Sequence, residues 1–189
     1  MDLLKQFQQY IKQQNLFQPK DKLLLAVSGG VDSVVLCELC KQAGQNFTIA
    51  HCNFQLRGDE SEGDEFFVKE LAGTYGAAFF VKKFDTEQYA GSHRMNIQAA
   101  ARVLRYTWFL ALMKENESLS ESILLTAHHA NDNIETVLMN FFKGTGIAGL
   151  KGMAPVDGGL VRKTARPLLF ATKESLLQYA KDNQLAWRE

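Results

Sequence analysis

The sequence predicts an α/β protein with a doubly wound, mostly parallel sheet of five strands and helices on both faces. Short apolar runs alternate along the chain with longer segments of helical periodicity, which is typical of a parallel sheet. Polar and charged residues follow three of the apolar runs, at the strand ends where open parallel sheets bind ligands. The 189 residues suffice for one domain with a substantial core.

The first half of the chain contains three of the five predicted strands. Leu3, Phe7 and Ile11 recur at helical spacing and predict an amphipathic first helix. In chain order, the predicted elements are a helix over 2–15, a strand over 23–27, a helix ending near 43, a strand over 47–52, a helix over 61–75 and a strand over 77–84.

The second half continues the alternation with two strands and three helices. In the helix after the fourth strand, Ile134, Val137, Leu138 and Phe141 form an apolar stripe that we expect to face the core. In chain order, the predicted elements are a helix over 96–116, a strand over 123–127, a helix over 132–142, a strand over 160–164 and a helix over 172–183.

The turn after the first strand is a candidate phosphate cradle. Its glycines let the backbone approach an anion closely, and the helix that follows presents unpaired N–H groups and the positive end of its dipole. Serine hydroxyls add donors, and a carboxylate placed among phosphates suggests a bridging Mg²⁺ ion. The alternative is a strand-to-helix turn with a capping Asp or Ser. The cradle consists of Ser28, Gly29, Gly30, Val31, Asp32 and Ser33.

A second group of candidate residues lies between the fourth strand and its helix. Asp132 and Glu135 are three residues apart, so their carboxylates share one helical face. They could bind Mg²⁺ or a substrate ammonium, or accept a proton from an amine. Helix capping with compensation of the dipole is the alternative. His128 and His129 could contact phosphate or a base, or close the loop.

Three other segments point to the same edge of the sheet. Arg102 and Arg105 lie on adjacent turns of the long helix, where they could clamp phosphate or form a solvated basic face. His51 and Asn53 stand at the carboxyl end of the second strand. The glycine-rich, basic segment 143–153 is either a mobile loop over the site or a flexible connection.

Composition narrows the class of protein. Apolar residues make up 46% of the chain and charged residues 22%, and no apolar run approaches the roughly 20 residues of a membrane span. We expect a cytoplasmic protein, because no signal peptide is apparent and the three cysteines lack the spacing of a disulfide framework. The net charge of zero argues against strong nucleic-acid binding by this segment alone.

These residues together carry a resemblance to known families. The 28–33 loop is similar to the pyrophosphate loop (PP-loop) of the N-type ATP pyrophosphatases, and the chain resembles the amino-terminal domain of the tRNA(Ile)-lysidine synthetases. The sequence departs from the family pattern at Phe54, where His is frequent, at Asn131, where an acid is common, and at Asn133, where Gln is common. The matching segments, in the family's order, are 28–33, 51–57, 96–106, 128–136, 143–153 and 166–169.

The resemblance implies an adenine nucleotide alpha hydrolase-like fold and a single PP-loop ATP pyrophosphatase domain over 1–189, without the family's carboxy-terminal tRNA-binding domains. It implies that the wobble cytidine of an isoleucine tRNA with a CAU anticodon is adenylated by ATP with release of pyrophosphate. Free lysine then displaces AMP at C2 of the base. Mg²⁺ as cofactor and a homodimer are further implications, and no membrane partner is expected.

The resemblance also implies roles for individual residues. The catalytic residues would be Asp32, Asp132, Glu135 and Arg105. The ATP-binding residues would be Ser28, Gly29, Gly30, Val31, Asp32, Ser33, His51 and Asn53, with Asp32 on Mg²⁺. The residues contacting phosphate or tRNA would be Arg57, Arg102, His128 and His129.

Two other functions stay open at this point. A tRNA 2-thiolation enzyme of the same superfamily would need an activated sulfur carrier, for which Cys37 and Cys40 are the candidates, although their helical positions predict burial. A nucleotide-binding module without catalysis would bind ATP but release no pyrophosphate.

Overall fold

The computed structural model describes residues 2–144, 150–158 and 163–189. The elements that lie wholly within these residues are six strands, seven α-helices and one 3₁₀ turn. In chain order these are α1 Leu3–Gln14, β1 Leu23–Ala26, α2 Val31–Gln42, β2 Phe47–Asn53, α3 Asp59–Tyr75, β3 Phe79–Lys83, α4 Thr86–Ser92, α5 Ile97–Glu115, the 3₁₀ turn Glu117–Leu119, β4 Ile123–Leu125, α6 Ala130–Phe142, β5 Val156–Asp157, β6 Thr164–Ala165 and α7 Lys173–Asp182.

The strands form one sheet in the order β3-β2-β1-β4-β6-β5, and all neighbouring pairs except β5–β6 are parallel. This confirms the predicted α/β class and the mostly parallel sheet. The sheet has six strands rather than five, because the two-residue strand β5 adds an antiparallel edge that is too short for a periodic sequence signal. Most of the predicted fifth strand falls on residues 159–162, which lie outside the described residues.

Helices cover both faces of the sheet, as predicted. Side chains alternate between the faces along a strand, so Leu23 and Leu25 of β1 join the core formed with α1, α2, α3 and α7. Leu24 points to the other face, where it packs in a second core with Trp108 and Phe109 of α5. The central strand is therefore buried on both sides, which explains its continuous apolar sequence.

The apolar stripe of α6 is not in the core, and the prediction for it was wrong. Ile134, Leu138 and Phe141 are 59%, 50% and 63% exposed, and α6 contains no buried residue. Helical periodicity identifies an apolar stripe but not the surface that covers it. The segment after α6 contacts the first turn of this helix, where the Met153 N–H donates to Asn133 Oδ1 at 2.6 Å.

The topology creates a crevice at the carboxyl ends of the central strands. From β1 the chain adds β2 and β3 on one side, and it then returns to add β4 on the other side of β1. Ligands of open α/β sheets bind at this reversal point. No helix among the described residues is long and apolar enough to cross a membrane.

Candidate active site

A cleft of about 220 Å³ lies at this reversal point. Its lining includes Ser28 from the β1–α2 turn, Asp32 from the first turn of α2, Arg105 from α5, and Thr126 and His128 after β4. A neighbouring cleft of about 230 Å³ shares Ser28 and Arg105 with it, and is completed by residues from the end of β2, the following loop and the start of α3. The structure thus brings together the three predicted segments that end β1, β2 and β4.

The β1–α2 turn has the backbone of an open anion cradle. Gly29 has a φ of +99°, which favours glycine. Gly30 is the N-cap of α2 and supplies no side chain, so the first N–H groups of the helix are left free of a side-chain cap. The Ser33 hydroxyl donates to the Gly30 carbonyl at 2.8 Å, and the Ser28 hydroxyl accepts from the Gly30 N–H at 3.3 Å. These hydroxyls shape the turn in addition to any contact with a ligand.

Asp32 is paired with a lysine that the sequence did not single out. Lys173 Nζ donates to both carboxylate oxygens of Asp32, at 2.7 and 2.8 Å. Lys173 is the first residue of α7, and its backbone N–H donates to Asn131 Oδ1 at 3.0 Å. A lysine at a helix N-terminus opposes the helix dipole. That unfavourable placement was the one sequence signal that could have marked Lys173 as functional.

Asp32 fits a Mg²⁺ ion that is shared with a bound phosphate. Within the described residues, no group of three or more His, Cys, Asp or Glu side chains could hold a metal alone. Mg²⁺ is often bound through one or two carboxylates, with phosphate oxygens and water completing its coordination. Asp32 can supply one such carboxylate at the cradle, provided that Lys173 moves away from it.

His129 lies between Asp32 and Asp132. Its side chain is almost fully buried, with Nε2 3.7 Å from Asp32 Oδ2 and Nδ1 3.6 Å from Asp132 Oδ2. Asp132 also accepts from the backbone N–H of His129 at 2.9 Å. Asp132 therefore caps α6 through Oδ2, and capping was the alternative to a catalytic role. Glu135 lies on the same helix and is exposed.

His128 lies in the cleft as a neutral side chain. Burial lowers the pKa of His128 to about 4, and the positive charges of Arg166, Arg105 and Arg102 add to this effect. Its Nδ1 forms a 2.8 Å hydrogen bond with the Thr126 hydroxyl. At neutral pH this ring can form hydrogen bonds with a phosphate or a base, but it brings no positive charge.

The two arginines of α5 are placed differently. Arg105 lines both clefts, with its guanidinium carbon 5.3 Å from the centre of the Phe54 ring. Stacking on an aromatic ring restricts the directions of the guanidinium group. Arg102 is exposed, stacks on Tyr106 at 5.1 Å and lines neither cleft. The structure therefore places Arg105 at the site and Arg102 on the surface beside it.

The polar residues at the carboxyl end of β2 and just beyond it form hydrogen bonds within the protein. His51 is buried, its Nδ1 lies 2.8 Å from the Val27 carbonyl oxygen, and burial lowers its pKa. The Asn53 amide donates to two glutamates of α3, at 3.2 and 2.8 Å. Arg57 Nη2 donates to Asp64 Oδ2 at 2.6 Å. These three residues line the second cleft, and their contacts with ATP, phosphate or tRNA stay predictions.

The cysteines are poor candidates for sulfur transfer. Cys37 and Cys40 are fully buried in α2, and burial raises the pKa of both thiols. Burial raises the pKa of Cys52 to about 12. The thiolate is the reactive form of cysteine, and a raised pKa disfavours that form in all three residues.

The chain is similar to one known protein family and to several curated proteins. A family model described as a PP-loop domain matches residues 2–189. The tRNA(Ile)-lysidine synthase of Bacteroides thetaiotaomicron is 45% identical over 170 residues, which cover 90% of this chain and 38% of that protein. The synthase of Chlorobaculum tepidum is 38% identical, with coverages of 98% and 55%. The chain thus spans only part of the length of the curated relatives that it matches.

Solved structures share the fold at low sequence identity. The U34-tRNA thiolase NcsA of Methanococcus maripaludis, determined with its [4Fe-4S] cluster, has a TM-score of 0.76 at 18% identity, covering 98% of this chain and 66% of that one. The NH₃-dependent NAD synthetase of Campylobacter jejuni has a TM-score of 0.60 at 14% identity, covering 98% and 75%. At such identities the likeness shows the fold alone.

Proposed function

Because the chain belongs to the PP-loop domain family, we propose that it binds ATP at residues 28–33 and uses it to ligate lysine to the wobble cytidine of an isoleucine tRNA. The observation that carries this proposal is that Ser28 and Asp32 of the cradle line one cleft with Arg105, while His129 lies between Asp32 and Asp132. The 45% identity to a tRNA(Ile)-lysidine synthase supports this substrate pair over others.

ATP binding follows from the cradle. The free N–H groups at the start of α2 and the positive end of its dipole stabilise the phosphates. Asp32 would hold Mg²⁺ together with phosphate oxygens, and the ion would neutralise the charge of the leaving pyrophosphate. Lys173, which now contacts Asp32, would then leave this carboxylate and contact the phosphates instead.

In the first step, O2 of the cytidine attacks the α-phosphorus of ATP. The bond between the α-phosphorus and the bridging oxygen breaks, and pyrophosphate leaves. Arg105 lines the cleft with its guanidinium group restrained by Phe54, so it can stabilise the charge that develops on the phosphoryl oxygens. The base must be unstacked from the anticodon loop to reach this crevice.

In the second step, the ε-amine of lysine attacks C2 of the adenylated base, and the C2–O bond breaks with release of AMP. The lysine ammonium, with an ordinary pKa of about 10.4, must first lose a proton to become a nucleophile. Asp132 and Glu135 share the accessible face at the start of α6 and would bind the ammonium. Glu135, which is exposed, would accept the proton.

The direct test uses the complete protein that carries this chain, with ATP, Mg²⁺, lysine and a transcribed isoleucine tRNA. Mass spectrometry of the tRNA nucleosides should show one cytidine heavier by lysine minus water, together with equimolar pyrophosphate and AMP. The Asp32→Asn variant is the matched control and should give neither product. Pyrophosphate release with an unmodified cytidine would contradict the lysine step, and ATP binding without pyrophosphate release would indicate a non-catalytic module.

A further inference from the structure

The segment after α7 returns to the phosphate cradle. The Arg188 N–H donates to the Gly29 carbonyl at 3.0 Å. The preceding Trp187 packs against the main core, which holds this part of the chain in place. The cradle is therefore hydrogen-bonded to a segment roughly 160 residues away in the sequence. Closing a loop of this length costs conformational entropy, so other interactions must support the contact.

A buried carboxylate holds the Arg188 side chain. Asp64 of α3 is only 7% exposed, and its Oδ1 accepts from Arg188 Nε at 3.0 Å. Its Oδ2 accepts from Arg57 Nη2 at 2.6 Å, and Arg57 Nη1 donates to the Glu189 carbonyl at 3.3 Å. A buried carboxylate with two guanidinium partners is costly to leave unpaired, so Asp64 fixes both arginines and, through them, the backbone at 188–189.

The lack of a side chain at Gly63 leaves room for the Arg188 guanidinium group. A Cβ at Gly63 would lie 2.8 Å from Arg188 Nη2, so the guanidinium occupies the space that a larger residue would need. A Cβ at Gly29 would lie 3.7 Å from Arg188 Cγ and 3.4 Å from Val68 Cγ2. Arg188 thus fits between α3 and the cradle in contact with both.

The bond to Gly29 determines the direction of one peptide in the cradle. In a trans peptide, the carbonyl of one residue and the N–H of the next point in opposite directions. The Gly29 carbonyl points to Arg188, so the Gly30 N–H points the other way, to Ser28 Oγ at 3.3 Å, on the side where Ser28 lines the cleft.

A Gly-Gly peptide is easily inverted. Neither residue has a Cβ, so rotation of the peptide plane as a unit meets little steric resistance. Inversion would replace the Gly30 N–H by the Gly29 carbonyl oxygen. A carbonyl oxygen directed at a phosphate is repulsive, whereas an N–H is attractive.

We propose that Asp64 and Arg188 are positioning residues that lock the Gly29–Gly30 peptide with its N–H toward the phosphates. Neither side chain needs to contact the nucleotide, because Asp64 acts through Arg188 and Arg188 acts through its backbone N–H on Gly29. The inference rests on the proposed binding of ATP at residues 28–33 and goes beyond it by naming what holds the cradle in its binding conformation.

The test separates the backbone donor from the side chain. Arg188→Pro removes both the N–H and the guanidinium group, whereas Arg188→Ala keeps the N–H and Arg188→Lys keeps a cation. In the complete protein, calorimetry would measure binding of α,β-methylene-ATP and of adenosine, which lacks phosphates. Arg188→Pro should weaken binding of the triphosphate at least tenfold. Arg188→Ala and Asp64→Asn should weaken it less, and Arg188→Lys should bind it more tightly than Arg188→Ala. Binding of adenosine should be unchanged in all four variants.

The controls decide between positioning and general stability. Lys69→Ala removes a positive charge from the exposed surface of α3 and should leave both affinities unchanged. Unfolding monitored by circular dichroism identifies variants that do not fold. If Arg188→Pro does not fold, the inference is tested by the binding affinities of Arg188→Ala and Asp64→Asn. Equal losses for adenosine and the triphosphate, or no loss for the folded variants, would overturn the inference. Failure of the unmodified protein to bind the triphosphate would instead contradict the proposed function.

Discussion

The two adjacent glycines of the cradle differ in what a methyl group would meet. Gly29 has a φ of +99°, whereas Gly30 has an ordinary φ of −69° and only Ser28 Oγ near its Cβ position, at 3.5 Å. Gly29→Ala should therefore lower the free energy of unfolding by about 1–2 kcal/mol, and Gly30→Ala should lower it by less, about 0.5–1 kcal/mol, because alanine is a poorer N-cap than glycine. Urea denaturation of the two variants measures this difference. Equal destabilisation would show that the positive φ of Gly29 is not required.

His128 should make stability depend on pH. Its pKa is lowered from 6.5 to about 4 in the folded protein, so the unfolded chain binds the proton more tightly. The contribution of neutral His128 to the free energy of unfolding is complete above about pH 6.5. It is lost progressively as the pH falls to about 4. The shift corresponds to a contribution on the order of 3 kcal/mol.

The variant His128→Gln, which does not titrate, isolates this contribution. Urea denaturation of both proteins between about pH 7 and pH 4.5 should show a steeper loss of stability in the unmodified protein. Parallel pH profiles for the two proteins would mean that the His128 ring is solvated enough to take up a proton in the folded state.

Glu135 separates the two proposed chemical steps. Glu135→Gln keeps the shape of the side chain but removes its charge and its basicity. Adenylation of the tRNA should persist, and lysine incorporation should fall at least tenfold, because a general base typically contributes about 10²–10⁴ in rate. Single-turnover reactions with labelled ATP and labelled lysine would count the two products. Equal loss of both products would assign Glu135 to the ATP site instead, and loss of neither would leave it no catalytic role.

Among the elements, α6 has an apolar stripe that the described structure leaves exposed. Leu138 is 50% exposed on α6, whereas Leu36 on α2 is fully buried. Leu138→Gln should change the free energy of unfolding by less than about 0.5 kcal/mol, and Leu36→Ala should lower it by about 2–5 kcal/mol. Denaturation of the complete protein makes the comparison. A large loss of unfolding free energy for Leu138→Gln would show that another part of the complete protein covers this stripe.

The sequence predicted most elements because each has its own periodicity. Helices α1, α2, α3, α5, α6 and α7 and strands β1 to β4 all overlap their predicted ranges. Helix α4 was missed because its seven residues are too few for a helical repeat to be recognised, although Asp85 caps it by accepting from the Gln88 N–H. The environment of α6 was missed for a different reason, since amphipathicity says nothing about which surface lies opposite.

In the whole molecule, the sequence located the site but not the interactions that complete it. Parallel topology alone places the ends of β1, β2 and β4 together, so the cradle and Asp132 could be assigned to one edge. The pairing of Asp32 with Lys173 and of Asp64 with Arg188 joins residues far apart in the chain. A single sequence contains many acid–base pairs of equal plausibility, and only the packing of α3 and α7 selects these two.

The position of β1 in the sheet has a consequence for how the nascent chain folds. β1 acquires β2 as a partner from the next crossover, but its other partner, β4, is translated roughly one hundred residues later. Until then, Leu23–Ala26 presents an apolar strand with one open edge, the kind of surface that pairs with other chains and recruits chaperones. We therefore expect the ribosome-bound chain to aggregate or bind chaperones until residue 125 has left the exit tunnel, and to lose both tendencies soon after.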